Sequence, residues 1–135
     1  MDSVETHLPP LPTSPGAARA FLRGALQTWN LDGFGDVTEV LTDELVANVV
    51  RHVHAPMTVR VYRQPNSIRV EVDDPSNDPP VQQHADVLAE SGRGLLLIDS
   101  LADQWGVIQH DGDGKTVWFE INGTTAANEV HRGTP

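Results

Sequence analysis

Glu44 and Asn48 stand four residues apart in an otherwise apolar run, Leu41-Thr-Asp-Glu-Leu-Val-Ala-Asn-Val-Val-Arg-His52. No Gly or Pro falls between Asp36 and Ala55, so the run reads as a helix. At about 100° per residue, Val37, Leu41, Glu44 and Asn48 share one stripe, with Leu45, Val49 and Val53 beside it. A helix apolar nearly all round is normally buried over most of its surface. One carboxylate and one amide therefore project together, a turn apart, from a mostly buried element. A buried carboxylate is costly unless it is paired, hydrogen-bonded or beside a cation; the plainer alternative is that the two residues mark the wet edge of the helix. Two further stretches carry potential chemistry. Val72-Asp-Asp74-Pro-Ser-Asn-Asp78 places adjacent carboxylates before a Pro-rich loop. Ser91-Gly92-Arg93-Gly94 opens directly onto apolar Leu95 to Ala102. Glycines at a helix start let backbone N–H groups approach an anion that the helix dipole also favours, and Arg93 would add a cation. In isolation the same tetrapeptide is an ordinary flexible turn.

The elements that must hold these residues follow from periodicity. Residues 1–13 carry Pro9, Pro10 and Pro12 and read as a tail, unless Val4 to Leu8 add an edge strand. Ser14-Pro15 starts a first helix, a capping hydroxyl followed by proline at the first helical position, and Ala17, Phe21, Leu22, Ala25, Leu26 and Trp29 continue it at helical spacing. Residues 30–35, with two glycines, turn into the second helix, which runs to about Val53 before Pro56. Met57, Val59 and Val61 alternate with polar neighbours, as do Ile68, Val70 and Val72, so two half-buried strands form a hairpin around the turn at residues 64–67. Asp73 and Asp74 should then face opposite ways. A long irregular loop follows to Glu90, expected to be the most mobile interior segment. A short third helix over residues 95–102 precedes two strands, residues 105–109 and 115–121, joined by the turn Asp111-Gly-Asp-Gly114. Trp105 and Trp118 read as sheet core, and His52 and His54, which face apart on a helix, as residues favoured by the dipole at its C-terminus. The last segment, 122–135, reads as a disordered tail. The order helix, helix, strand, strand, loop, helix, strand, strand implies an α/β sandwich with helices on one face of a mostly antiparallel sheet.

Composition narrows the function. The 135 residues suit one domain with a core of its own. Cysteine is absent, which removes disulfides, thiolate metal sites and cysteine nucleophiles and fits a reducing cytoplasm. The N-terminal stretch has no charged-then-apolar leader, and no apolar run approaches the roughly 18 residues of a membrane span. Nine basic against nineteen acidic side chains give a formal charge of −10, which argues against direct nucleic-acid or membrane binding. A nucleotide remains compatible if a divalent metal and local donors neutralise it.

The three motifs around Glu44, Asp74 and Gly92, followed by Gly114-Lys115-Thr116-Val117, stand in an order that resembles the GHKL ATP-binding superfamily. Within it, the chain looks most like the single-domain anti-sigma-factor serine/threonine kinases. The resemblance covers about residues 14–121, the expected ATP-binding domain, and implies a Bergerat-type fold, an α/β two-layer sandwich with about three helices on one sheet face. It further implies ATP and Mg²⁺ as cofactors. Asn48 matches the family's Mg²⁺ ligand, a hard oxygen for a hard cation, and Glu44 its general base. Asp74 matches the adenine anchor, accepting amino protons in a charge-assisted bond. Gly92, Arg93, Gly94 and Leu95 match the phosphate cradle, and Thr116 a threonine supporting the adenine pocket. Ser76 and Asp78 replace glycines usual in the family; Ser76 is small enough to keep the pocket open, whereas Asp78 adds negative charge near a triphosphate. By resemblance the partners are a sigma factor and/or an anti-anti-sigma (STAS-type) protein, with homodimerisation common in the family. The alternative is a nucleotide-gated protein-binding module without kinase turnover.

Overall fold

The computed structural model describes residues 2–77 and 97–123. Within them, strand β1 (Ser3–Leu8) is followed by helix α1 (Ser14–Thr28), a 3₁₀ turn (Asp32–Phe34) and helix α2 (Gly35–Asn48). A π-helical turn (Val49–Val53) extends α2, and strands β2 (Met57–Gln64) and β3 (Ser67–Asp74) come next. Residues 97–101 are helical, and β4 (Gln104–Gln109) and β5 (Lys115–Asn122) complete the order.

The strands form one sheet in the order β1-β2-β3-β5-β4, every pairing antiparallel. The N-terminal segment is thus a paired edge strand, not a tail, with Leu8 opposite Met57. Alternation decides the faces. Met57, Val59 and Val61 of β2, Ile68, Val70 and Val72 of β3, and Val117, Phe119 and Ile121 of β5 are buried. They form one core with Leu22 and Leu26 of α1, Leu41, Leu45 and Val46 of α2, and Ile98. At roughly 1.5–3 kcal/mol for each large aliphatic or aromatic side chain fully buried, this layer between helices and sheet is the main drive to fold.

Three local readings change in the structure. Ser14 lies inside α1, with Thr13 at the cap position and no side-chain capping bond; the Ser14 hydroxyl instead donates to Pro9 O at 2.5 Å, tying the β1–α1 connection to the helix. The second helix ends in a wide π turn, closed by His54 N–H to Val49 O at 3.0 Å, with His54 left-handed at φ 56°. Trp118 is not core. Its neighbours Val117 and Phe119 take the covered face, so strand parity sends Trp118 to the other one, where Arg69 Cζ sits 4.0 Å from its ring centroid. Trp105, by contrast, packs against the core. Among the described residues no helix is long and apolar enough to cross a membrane.

Candidate functional site

Strand β3 ends in two carboxylates, and alternation gives them different surroundings. Val72 is buried, so Asp74, two residues on, shares its face and is only 6% exposed. Asp74 pairs across the sheet with Lys115 of β5, as Asp73 does with Thr116. Lys115 is 4% exposed, and its Nζ lies 3.0 Å from Asp74 Oδ1. That oxygen also accepts the Ser76 N–H at 2.8 Å. Here an Asp side chain bonds its own backbone two residues on, a turn that Asp-Pro-Ser favours because proline presets the intervening φ. The Asn77 side-chain oxygen then accepts the Gly114 N–H at 3.0 Å, latching this loop to the β4–β5 turn.

Gly114 is required by the latch. Its φ is +91°, and a Cβ there would lie 2.1 Å from Asp74 O, closer than any side chain permits. The turn Asp111-Gly-Asp-Gly114 is therefore more than a hairpin connection: it brings backbone against backbone at the edge of the site. Asp74 also lines a cavity of about 430 Å³ with His7, Met57, Thr58, Pro75 and Asp113 among its walls.

Thr116 occupies the opposite face from Asp74. Its hydroxyl donates to Asp73 Oδ1 at 2.5 Å and lies 2.7 Å from His110 Nε2, while Asp73 also pairs with Arg60. The side chain that meets Asp74 is Lys115, one residue before Thr116, because β5 presents Lys115, Val117 and Phe119 to the helices. Ser76 enters the arrangement through its backbone N–H.

Helix α2 carries the other candidates. Its buried residues are Val37, Thr38, Leu41, Thr42, Leu45 and Val46, and Thr38 Oγ1 donates to Phe34 O at 2.5 Å. Glu44 and Asn48 sit half-buried at the border of that face, and Val40 is 46% exposed. The helix is thus amphipathic and not apolar all round. Glu44 lines a cavity of about 370 Å³ with Arg19, Asp36, Glu39, Val40 and Asp43. Asn48 is the last α-helical residue before the π turn, and its Oδ1 accepts Arg51 Nη2 at 3.2 Å. That half-buried amide oxygen suits Mg²⁺, which takes oxygen ligands, keeps several waters and draws on substrate phosphates. Among the described residues no three His, Cys, Asp or Glu gather into a metal cluster; a Mg²⁺ carried with a nucleotide does not need one. Gly92, Arg93, Gly94, Leu95 and Asp78 lie outside the described residues.

Lys115, Asn77 and Gly114 were not singled out as site residues from sequence. The signal for Lys115 was available in the parity of β5, since it shares a period of two with Val117 and Phe119. For Asn77 and Gly114 no local signal exists, because their bond spans the gap between two separate loops.

The family described as histidine kinase-like ATPase domain matches residues 8–121. The chain belongs to that family. An uncharacterized protein of Streptomyces coelicolor is 38% identical to it over 92 residues, 64% of this chain and 87% of the relative. Among solved structures, the histidine kinase domain of a blue-light activated histidine kinase from Erythrobacter litoralis is similar with a TM-score of 0.52 at 17% identity. That likeness covers 84% of this chain, which spans 65% of the neighbour's length, and it concerns the fold. The histidine kinase-like ATPase domain thus has the two-layer α/β architecture expected of the GHKL superfamily.

Proposed function

We propose that this ATPase-family domain binds Mg-ATP, phosphorylates a serine or threonine of an anti-anti-sigma partner and sequesters a sigma factor. The observation that carries the nucleotide part is the buried Asp74 carboxylate, fixed by the Ser76 N–H at 2.8 Å at the end of the central strand β3. A carboxylate held in one orientation suits an adenine amino group, since a bond to a charged acceptor is directional and strong. Asn48 would hold Mg²⁺, which supplies charge neutralisation at the phosphates. Glu44, one turn earlier on the same helix face, would take the proton from the attacking hydroxyl. The half-buried position of both leaves them open to a ligand. Gly92, Arg93, Gly94 and Leu95 are assigned to the phosphates on their sequence pattern alone. The kinase and sigma-factor parts rest on the resemblance of the motifs.

A second reading is a nucleotide-gated binding module without transfer, favoured by the acidic Asp78 in place of a glycine. The experiment that separates the readings compares Asn48→Ala and Glu44→Gln by ATP titration and by transfer to a partner serine. Asn48→Ala should lose binding and transfer together. Glu44→Gln should keep ATP affinity and lose transfer by roughly 10²–10⁴-fold, the usual contribution of a general base. If Asn48→Ala binds ATP as the parent does, Asn48 belongs to the helix surface and not to a site. Full transfer by Glu44→Gln removes the base assignment.

A further inference from the structure

We propose that Lys115 is a second nucleobase-contacting residue, donating a hydrogen bond to a ring nitrogen beside the amino group that Asp74 accepts. The inference rests on the reading of Asp74 as the adenine anchor and adds a specificity determinant to it. Asp74 Oδ1 already receives two donors, the Ser76 N–H at 2.8 Å and Lys115 Nζ at 3.0 Å. A carboxylate oxygen offers about two lone-pair sites, so an incoming amino group must be taken by Oδ2. The ammonium beside Oδ1 then stands next to the bound base.

Lys115 has protons to offer there. An ammonium carries three donors and no acceptor, and Asp74 takes one of them. With Lys115 4% and Asp74 6% exposed, bulk water is a poor source of acceptors. A buried ion pair is favourable only when its remaining protons and lone pairs are also satisfied. Adenine's amino group is flanked on each side by a ring-nitrogen acceptor, N1 and N7. A carboxylate acceptor with an ammonium donor at its side matches that donor–acceptor edge. An isolated aspartate would read the amino group alone.

The geometry also explains why the cation is a lysine reaching from β5. Asp74 and Lys115 are direct cross-strand partners on the covered face, and Gly114 immediately before holds its strand end against Asp74 O. Thr116 cannot substitute, since it points to the opposite face and bonds Asp73.

The test measures affinities of the wild-type chain for Mg-ATP, Mg-1-deaza-ATP and Mg-7-deaza-ATP, each analogue lacking one ring nitrogen. One of the two analogues should bind roughly ten- to a hundredfold more weakly than ATP, as expected for losing a hydrogen bond from a charged donor. Lys115→Met should bind ATP and that analogue within about twofold of each other, a loss of discrimination that a purely structural lysine would not produce. Should Lys115→Met fail to fold, the ¹⁵N resonance of Lys115 Nζ in the wild-type protein provides the readout: it should shift on adding ATP and stay near its free position with the weaker analogue. Equal binding of ATP and both analogues overturns the proposal while leaving Asp74 as the anchor. Discrimination that persists in Lys115→Met overturns it too. Absence of any ATP binding overturns the adenine reading itself, and this inference with it.

Discussion

Asp73 and Asp74 are neighbours in sequence with opposite fates. Asp73 lies on the open face of the sheet, half-buried, with Arg60 and the Thr116 hydroxyl as partners. Asp74 lies on the covered face, buried, with Lys115 and the Ser76 N–H. The side-chain period of a strand is two, so a one-residue step exchanges a water-screened carboxylate for one whose partners must be supplied by the protein. Electrostatic interactions strengthen as the effective dielectric falls. The same step turns a surface ion pair into the kind of preorganised charge a ligand site uses.

Removing one member of each pair separates the two carboxylates most strongly. Lys115→Met leaves Asp74 buried and uncompensated, and should cost about 3–5 kcal/mol of stability in chemical denaturation. Asp73→Ala, which loses the half-exposed Arg60 partner and the Thr116 bond, should cost about 1–2 kcal/mol. Equal losses would mean that the two faces do not differ in the way described. A smaller effect concerns the latch between Asn77 and Gly114. Gly114→Ala and Gly112→Ala both place a side chain at positive φ, +91° and +89°, a strain on the order of 1–3 kcal/mol. Only Gly114 also meets Asp74 O, whereas nothing lies within 4 Å of a Cβ at Gly112. The melting temperature should therefore fall further for Gly114→Ala, and similar values would remove the close approach from the argument. Thr116→Val should have the smallest effect, about 1 kcal/mol for the lost bond to Asp73, with ATP affinity changed by less than about threefold. A large loss of ATP affinity would restore Thr116 to the pocket.

Much of the architecture was legible in the chain. The alternation in Met57, Val59, Val61 and in Ile68, Val70, Val72 marked β2, β3 and their buried faces, and the helical spacing of Ala25, Leu26 and Phe21 marked α1. These patterns work because one buried face repeats along a regular element. Val4 to Leu8 was ambiguous, since an edge strand owes its existence to a partner, here β2. Trp118 was misplaced because its hydrophobicity outweighed its parity; stacking on Arg69 lets a large ring occupy the open face, where Gly106 opposite leaves room, its absent Cβ lying within 3.0 Å of the indole. Ser14 has the residue type of a cap, yet its hydroxyl serves Pro9, a contact fixed by the path of the β1–α1 connection.

For the candidate site the division is sharper. The residue types and their order were readable from the chain: Glu44 and Asn48 one turn apart, and Asp73 and Asp74 on alternate faces. Both follow from the repeat of a single element, about 3.6 residues in a helix and two in a strand, whereas the bond from the Ser76 N–H to Asp74 came from the structure. Tertiary structure alone decided that Lys115 and not Thr116 meets Asp74, and that Asn77 holds Gly114. Those contacts cross 41 and 37 residues of chain, and their partners are set by the register of β3 against β5. A register is a property of two strands and of the core they share. No local pattern around Asp74 contains it.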